Sequence, residues 1–97
     1  MSRRAARIDD NQEEIAEALR LHGFWVYSTA ALGGGFPDLL VCRFRRFALL
    51  EVKDGRKIPS KRRLTPAERG FFAACPGPVF AVESVEQAIR VATEATR

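Results

Sequence analysis

The sequence predicts an α/β (α+β) domain with elements in the order α-β-β-β-α-β-α, on three observations. Four short apolar runs, Phe24-Trp25-Val26-Tyr27-Ser28, Leu39-Leu40-Val41, Phe47-Ala48-Leu49-Leu50 and Val79-Phe80-Ala81-Val82, are each bounded by turn or charged residues. That is the pattern of buried strands. Three further segments carry helix start and stop signals. The 97 residues show no repeat and no linker long enough to divide them, and 46% apolar content is ordinary for one globular domain.

Taken in order, Met1 to Ile8 is short, basic and without periodicity, and reads as a mobile arm. Asp9, Asp10 or Asn11 can cap the first helix, which is expected to run to about His22 with Gly23 as its C′ residue. Ile15, Ala18 and Leu19 define an inward face at 3.6 periodicity. Extended backward, that face takes in Asn11 and Gln12, with Glu14 at its edge and Asp10 turned away. His22, the single histidine, belongs to the helix end. After the first strand, Ala30 to Gly35 is a loop of small residues whose three glycines allow positive φ and close approach. No Gly-rich loop ends in Lys-Ser or Lys-Thr, so a nucleotide-binding P-loop is not supported.

Asp54 to Leu64 is polar, with Gly55 and Pro59, and reads as a loop. Thr65 as N-cap, Pro66 at the first position and Glu68 three residues on form a capping box. Phe71 and Phe72 are expected to pack this helix on the sheet. Cys75-Pro76-Gly77-Pro78 breaks it, the last strand follows, and Ser84 with Gln87 caps a final helix ending near Ala95.

The chemistry is concentrated at Gly35-Phe36-Pro37-Asp38 and Glu51-Val52-Lys53. Side chains alternate along a strand, so Glu51 and Lys53 share a face. If the intervening hairpin is centred on Phe44-Arg45, position 38 opposes position 51, with Cβ atoms roughly 5 Å apart. Two carboxylates so close repel, and burying them is unfavourable unless a cation or proton joins them. A divalent metal is the simplest reason to build such a pair.

These segments resemble the PD-(D/E)-x-K nuclease core. The fuller pattern is similar to the virus-type replication-repair nuclease family (VRR-NUC), in its standalone phage and bacterial form. That pattern is a helix, a glycine before Pro-Asp, Glu-x-Lys, then a Thr- or Ser-led helix, and the likeness spans roughly residues 9 to 90. It implies a restriction-endonuclease-like core, a mixed four-stranded sheet flanked by helices. It implies a metal-dependent DNA endonuclease, acting on branched DNA such as four-way junctions. Asp38, Glu51 and the Val52 carbonyl would hold Mg²⁺ or Mn²⁺, ions that take oxygen ligands. Lys53 would orient or help deprotonate the attacking water and stabilise the pentacovalent phosphorus. Gln12 matches the family's helix glutamine, and the acidic partner completing the shell is Glu14 or Asp10, Glu14 being favoured by helix geometry. The family usually has Gln where Glu68 stands, which leaves capping as the safer role of Glu68.

Charge supports a polyanionic partner. The net charge is +4, but residues 43–69 carry ten basic and three acidic side chains, a net of +7, against −3 for the remainder. Lys and Arg that neutralise phosphates supply most non-specific nucleic-acid affinity. Gly34, Gly35, Arg56, Lys57, Lys61, Arg62, Arg63 and Thr65 are the candidate DNA contacts, on branched or duplex DNA. A non-catalytic DNA-binding module on the same scaffold is the alternative, and an RNA- or protein-binding adaptor a third reading. An intact Asp38, Glu51 and Lys53 set argues against the DNA-binding module, since binding alone needs no carboxylates beside phosphate.

No segment is as long and apolar as a transmembrane helix, and the Arg-rich start lacks the apolar stretch of a signal peptide. Cys42 and Cys75 read as buried fillers in a reducing cytoplasm, and not as a disulfide; that the cell is bacterial or phage-infected is what the resemblance implies. Trp25, Phe36, Phe44, Phe47, Phe71, Phe72 and Phe80 crowd one small core, so a homodimer is expected.

Overall fold

The structure is a computed structural model that describes residues 9–97, so the expected basic arm at residues 1–8 lies outside the described residues. The elements are α1 (Gln12–Leu21), β1 (Trp25–Ser28), β2 (Leu39–Arg43), β3 (Arg46–Val52), α2 (Pro66–Ala74), β4 (Val79–Val82) and α3 (Val85–Ala95). Their order is the expected one, with short 3-10 turns added at Ala30–Leu32 and Pro59–Lys61. The four strands form one mixed sheet in the order β1-β2-β3-β4, antiparallel except for the parallel β3–β4 pair. Among the described residues no helix is long and apolar enough to cross a membrane.

The β2–β3 hairpin sets the register. Its turn is Phe44-Arg45, with φ of 55° and 65°. Positive φ at both central residues makes a type I′ turn, whose twist matches that of the flanking strands. Neither residue is the usual Asn or Gly, so the turn carries strain. The Arg43 guanidinium lies over the Phe44 ring at 4.6 Å and over Phe24 at 4.2 Å, which helps to hold it. Arg43 then pairs with Arg46 and Leu39 with Leu50.

With that register one face of the sheet is apolar and covered. Val26, Leu39, Val41, Ala48, Leu50, Val52 and Val82 meet Ile15, Ala16 and Leu19 of α1 and Ala88 and Ala92 of α3. Fully burying a side chain such as Ile15, Leu19 or Leu50 contributes on the order of 2 kcal/mol. The inward stripe of α1 is Gln12, Ile15, Ala16 and Leu19, at i, i+3, i+4 and i+7. Ala18, expected on that stripe, is only half-buried, and Ala16 takes its place.

Asn11 stands at the N-cap of α1 but makes no capping hydrogen bond. Its amide instead donates to the carbonyls of Lys53 (3.1 Å) and Glu83 (3.3 Å), tying α1 to the ends of β3 and β4. Gly23, with φ of 91°, follows α1 as expected.

The other face is sparsely covered. α2 has the expected capping box, with Thr65 Oγ1 accepting from the Glu68 N–H and a Glu68 carboxylate oxygen accepting from the Thr65 N–H. It buries none of its residues, so Phe71 and Phe72 do not form the expected core layer. Phe71 instead meets Phe36 edge-on, with ring centroids 5.1 Å apart. The anchorage is short-ranged because α2 approaches through backbone at Gly35, where a β-carbon would collide with the Ala67 carbonyl. Cys42 and Cys75 are free and half-buried, less enclosed than expected.

Gly35 has φ of +86° as well as that close approach. Gly35→Ala should therefore cost about 2 kcal/mol or more, from an unfavourable backbone conformation and displacement of α2. Chemical denaturation checks this; an unchanged midpoint would mean that α2 is not seated through this glycine.

Candidate active site

The β2–β3 register determines what faces what. One step beyond the Leu39–Leu50 pair, Asp38 and Glu51 lie on the face away from α1 and α3. Asp38 is fixed through its backbone: its N–H donates to the Leu50 carbonyl (3.0 Å) and its own carbonyl accepts from the Thr29 N–H (2.7 Å). Thr29 Oγ1 donates to the Pro37 carbonyl at 2.6 Å, which locks the turn entering β2. Asp38 Oδ2 accepts from the Val52 N–H at 2.8 Å. Within a strand a residue's N–H and C=O leave on the same side, so the Val52 carbonyl is turned toward this edge as well.

Lys53 lies one step past the strand, its N–H donating to the Val82 carbonyl. Its ammonium stands 3.5 Å from Glu51 Oε2 and donates to Glu68 Oε1 at 2.9 Å. The same Glu68 oxygen accepts from the Thr65 N–H at 2.8 Å. Glu68 is thus both helix cap and third carboxylate of the cluster. The capping spacing revealed its first role; the second depends on where α2 crosses the sheet, which local sequence does not state.

Burial, then the charges of Asp38 and Glu68, push the Glu51 carboxyl up to about 9. Burial also raises Asp38, although the Val52 N–H acts against it. For Lys53, burial opposes the charge, but the hydrogen bond and charge of Glu68, with Glu51, outweigh it and hold the ammonium above its ordinary pKa. Burial likewise opposes ionisation of Glu68, and the Lys53 and Thr65 hydrogen bonds more than offset it, so Glu68 is lowered. Without another cation, the stable state is a proton on Glu51, a carboxylate at Glu68 and a cation at Lys53. Among the described residues Glu51 Oε1 is buried with no hydrogen-bond partner.

These side chains line a cavity of about 330 Å³, whose rim includes Asp9, Lys57, Ser60, Lys61, Arg63 and Thr65. Asp9 is tied to Lys57 at 3.3 Å. Of the expected DNA contacts, Lys57, Lys61, Arg63 and Thr65 therefore gather here. Arg56 and Arg62 do not line it. Asp54, held down to about 2 by the Arg56 side-chain and backbone hydrogen bonds, clamps Arg56, and Arg62 donates to Glu83 at 3.1 Å. Gly34 is exposed and Gly35 meets α2.

The helix residues expected at the metal are not brought to this cavity. Gln12 is buried, its Oε1 without a hydrogen-bond partner among the described residues, and it does not line the cavity. Glu14 is exposed and lines a separate cleft with Asp54, Arg56 and Glu83, because two helix steps of about 100° carry it round from Gln12. Asp10 is exposed and outside the lining, so Asp9 is the acidic residue that this end of the chain supplies.

Among the described residues no group of three or more His, Cys, Asp and Glu is arranged to hold a metal ion. The set at hand is smaller, two carboxylates and a main-chain carbonyl. It fits a hard divalent ion, which completes its shell with water. The observation behind that fit is the buried Glu51 Oε1, without a hydrogen-bond partner among the described residues, on a side chain opposed to Asp38. No family description, curated protein or solved structure matches the chain.

A carboxyl raised by folding stabilises the protein fully below its unfolded pKa, and that stability is lost as pH rises through its folded value. In a metal-free buffer, the melting temperature should therefore fall between about pH 4.5 and 9, the range set by Glu51. A drop of about 5 °C or more is expected for a domain of this size. Glu51→Gln should flatten the slope, and an equally steep profile in that variant would assign the effect to other groups.

Proposed function

We propose that this chain is a metal-dependent endodeoxyribonuclease with a PD-(D/E)XK core, hydrolysing phosphodiester bonds in DNA. One observation carries the reading: Asp38, Glu51 and Lys53 converge in a single cavity rimmed by Lys57, Lys61 and Arg63. A buried carboxylate pair beside a lysine is costly for stability, and a cationic rim suits a phosphodiester backbone. The preference for branched DNA, four-way junctions above all, rests on the resemblance of the motifs to the VRR-NUC family. So does the assignment to a phage or bacterial cytoplasm.

Asp38, Glu51 and the Val52 carbonyl would hold Mg²⁺ or Mn²⁺. The bound ion would supply Lewis acidity at the scissile phosphate and lower the pKa of the attacking water. Burial opposes the charge on Lys53, but Glu68 and Glu51 favour it, so the ammonium is suited to orienting that water more than to taking its proton. It also donates to the phosphoryl oxygens as negative charge develops on them. Glu68 positions that ammonium from the α2 side at 2.9 Å, and Glu51 from the strand at 3.5 Å. Lys57, Lys61 and Arg63 bind the flanking phosphates, and Thr65 offers a hydroxyl at the foot of the same rim.

A cleavage assay across junction, flap and duplex DNA, with Mg²⁺, Mn²⁺ or EDTA, tests the reading. Cleavage should require the ion, and Glu51→Ala should abolish it while leaving DNA binding measurable. Lys53→Ala should slow cleavage about 100-fold or more, the scale for removing one charge-stabilising donor. Protein that remains folded and loses DNA affinity in proportion to rate would make Lys53 a binding residue.

The rim makes a separate prediction. Reversing Lys61 and Arg63 to Glu should weaken binding alike for all DNA sequences. It should also reduce the salt dependence of affinity, by about 0.9 in log–log slope per lost phosphate contact. Arg62→Glu, which breaks an ion pair with Glu83, should change that slope less. Equal effects of the two would place the DNA along another surface.

A further inference from the structure

The β2–β3 hairpin ends in a cationic, aromatic tip that the carboxylate cavity does not use. Between Leu39 and Leu50 there is no acidic residue, while Arg43, Arg45 and Arg46 crowd the turn. Arg45 and Arg46 are exposed, and among the described residues no ion pair neutralises any of the three. Phe44 stands between them, 71% exposed. Its ring is held in place, because the Arg43 guanidinium backs it at 4.6 Å and rests on the buried Phe24 ring at 4.2 Å. Phe44 and Arg45 both keep left-handed φ, where Asn-Gly or Asp-Gly would close the same turn without strain. An exposed ring adds nothing to the core, so folding alone accounts for neither the strain nor the exposure.

We infer that this tip is a second contact to duplex DNA, separate from the cavity. The Phe44 ring wedges into a base step from the minor groove, and Arg45 and Arg46 bind the phosphates beside it. The inference rests on the reading of this chain as a protein that acts on DNA. Minor-groove proteins insert an apolar side chain between base pairs, flanked by arginine or lysine, and contacts to the bent backbone offset the unstacking. The tip supplies each of these parts within four consecutive residues. A single strand is a poorer match, since its stacking platforms spread several aromatics along a cationic groove. A lipid surface is poorer too: interfacial anchors bury a broad apolar face, and the tip offers one ring among three arginines.

Position favours the same ligand. Extended chain runs from Asp38 to Phe44, so the tip stands about 20 Å from the carboxylates. That is the length of about six base pairs. Lys57, Lys61 and Arg63 lie at the carboxylate end and the tip arginines at the other, so one duplex can be gripped at both. A wedge at the tip unstacks the helix at a fixed offset from the cavity. Steps that open readily, TA above all, are then preferred without any contact to base edges.

The test uses the full chain in EDTA, with a duplex of TA steps carrying 2-aminopurine in place of adenine, a base whose emission rises when it is unstacked. Binding of the wild-type protein is expected to raise that emission. Phe44→Ala should abolish the rise and weaken binding about tenfold, the scale for removing one aromatic–base contact. Phe44→Leu, still apolar, should keep part of both. Phe44→Asn combined with Arg45→Gly relieves the turn, so that protein should melt at a higher temperature yet give no rise. A double variant that melts lower would make the tip a structural turn, and one that still raises the emission would remove the wedge; either overturns the inference. Wild-type protein that binds without a rise, or does not bind the duplex, overturns it as well. So does a Phe44→Ala protein that keeps the DNA response but loses binding to phosphatidylserine vesicles, which would assign the tip to lipid. Unstacking without cleavage once Mg²⁺ is restored would remove the catalytic reading and leave the wedge, whereas cleavage without unstacking would do the reverse.

Discussion

A two-residue turn governs this fold. Phe44-Arg45 closes the hairpin in a left-handed conformation, which fixes Leu39 opposite Leu50. Side chains alternate with a period of two, so a slip of one residue would exchange the two faces of β3. Leu50 and Val52 would leave the core, while Glu51 would enter it among Ile15, Leu19 and Val82. The cost of that exchange penalises misregistration far more than the turn itself does. The apolar core therefore protects the carboxylate pair although it shares no face with it.

The cluster above the sheet is a compromise between burial and charge. Two carboxylates and a lysine enclosed together would leave an unfavourable balance, and Glu68 changes it. By accepting from Lys53 and from its own helix N-cap residue, it keeps the ammonium charged, while burial first, then the charge of Asp38 and its own, favour the protonated form of Glu51. A hard cation would reverse this state by displacing the proton. The position where the resembling family usually carries glutamine is thus occupied here by a residue with electrostatic consequences for each member of the cluster.

Local signals disclosed the element order, the Gly23 helix end, the Thr65–Glu68 cap and the face shared by Asp38 and Glu51. Each depends on spacing within a few residues or on one hairpin. What local sequence did not disclose depends on how distant elements meet. Ala16, not Ala18, is buried in the core, where α1 packs against α3 and β1. Glu14 and Arg56 turn to another cleft, and Arg62 finds Glu83, twenty-one residues away. Asn11 looked like a helix cap, yet its amide bonds are to strand ends more than forty residues distant. Phe71 and Phe72 have apolar spacing, but no pattern within α2 says that it would bury none of its residues and meet the rest of the fold through Ala67 and Phe71.

The parallel pairing of β3 with β4 has an evolutionary corollary. Neighbouring parallel strands cannot be joined by a tight turn, so the chain must travel out and return. That excursion spans residues 53–78, of which only Pro66–Ala74 is regular helix, and it passes over the carboxylates. Loop length is entropically cheap, each doubling costing only about 0.6 kcal/mol. Insertions and charge changes here would remodel the cavity's rim while leaving the hairpin register and core unaltered. The scaffold thereby separates a carboxylate floor, held by hairpin register and core, from a wall whose length and charge the fold leaves open.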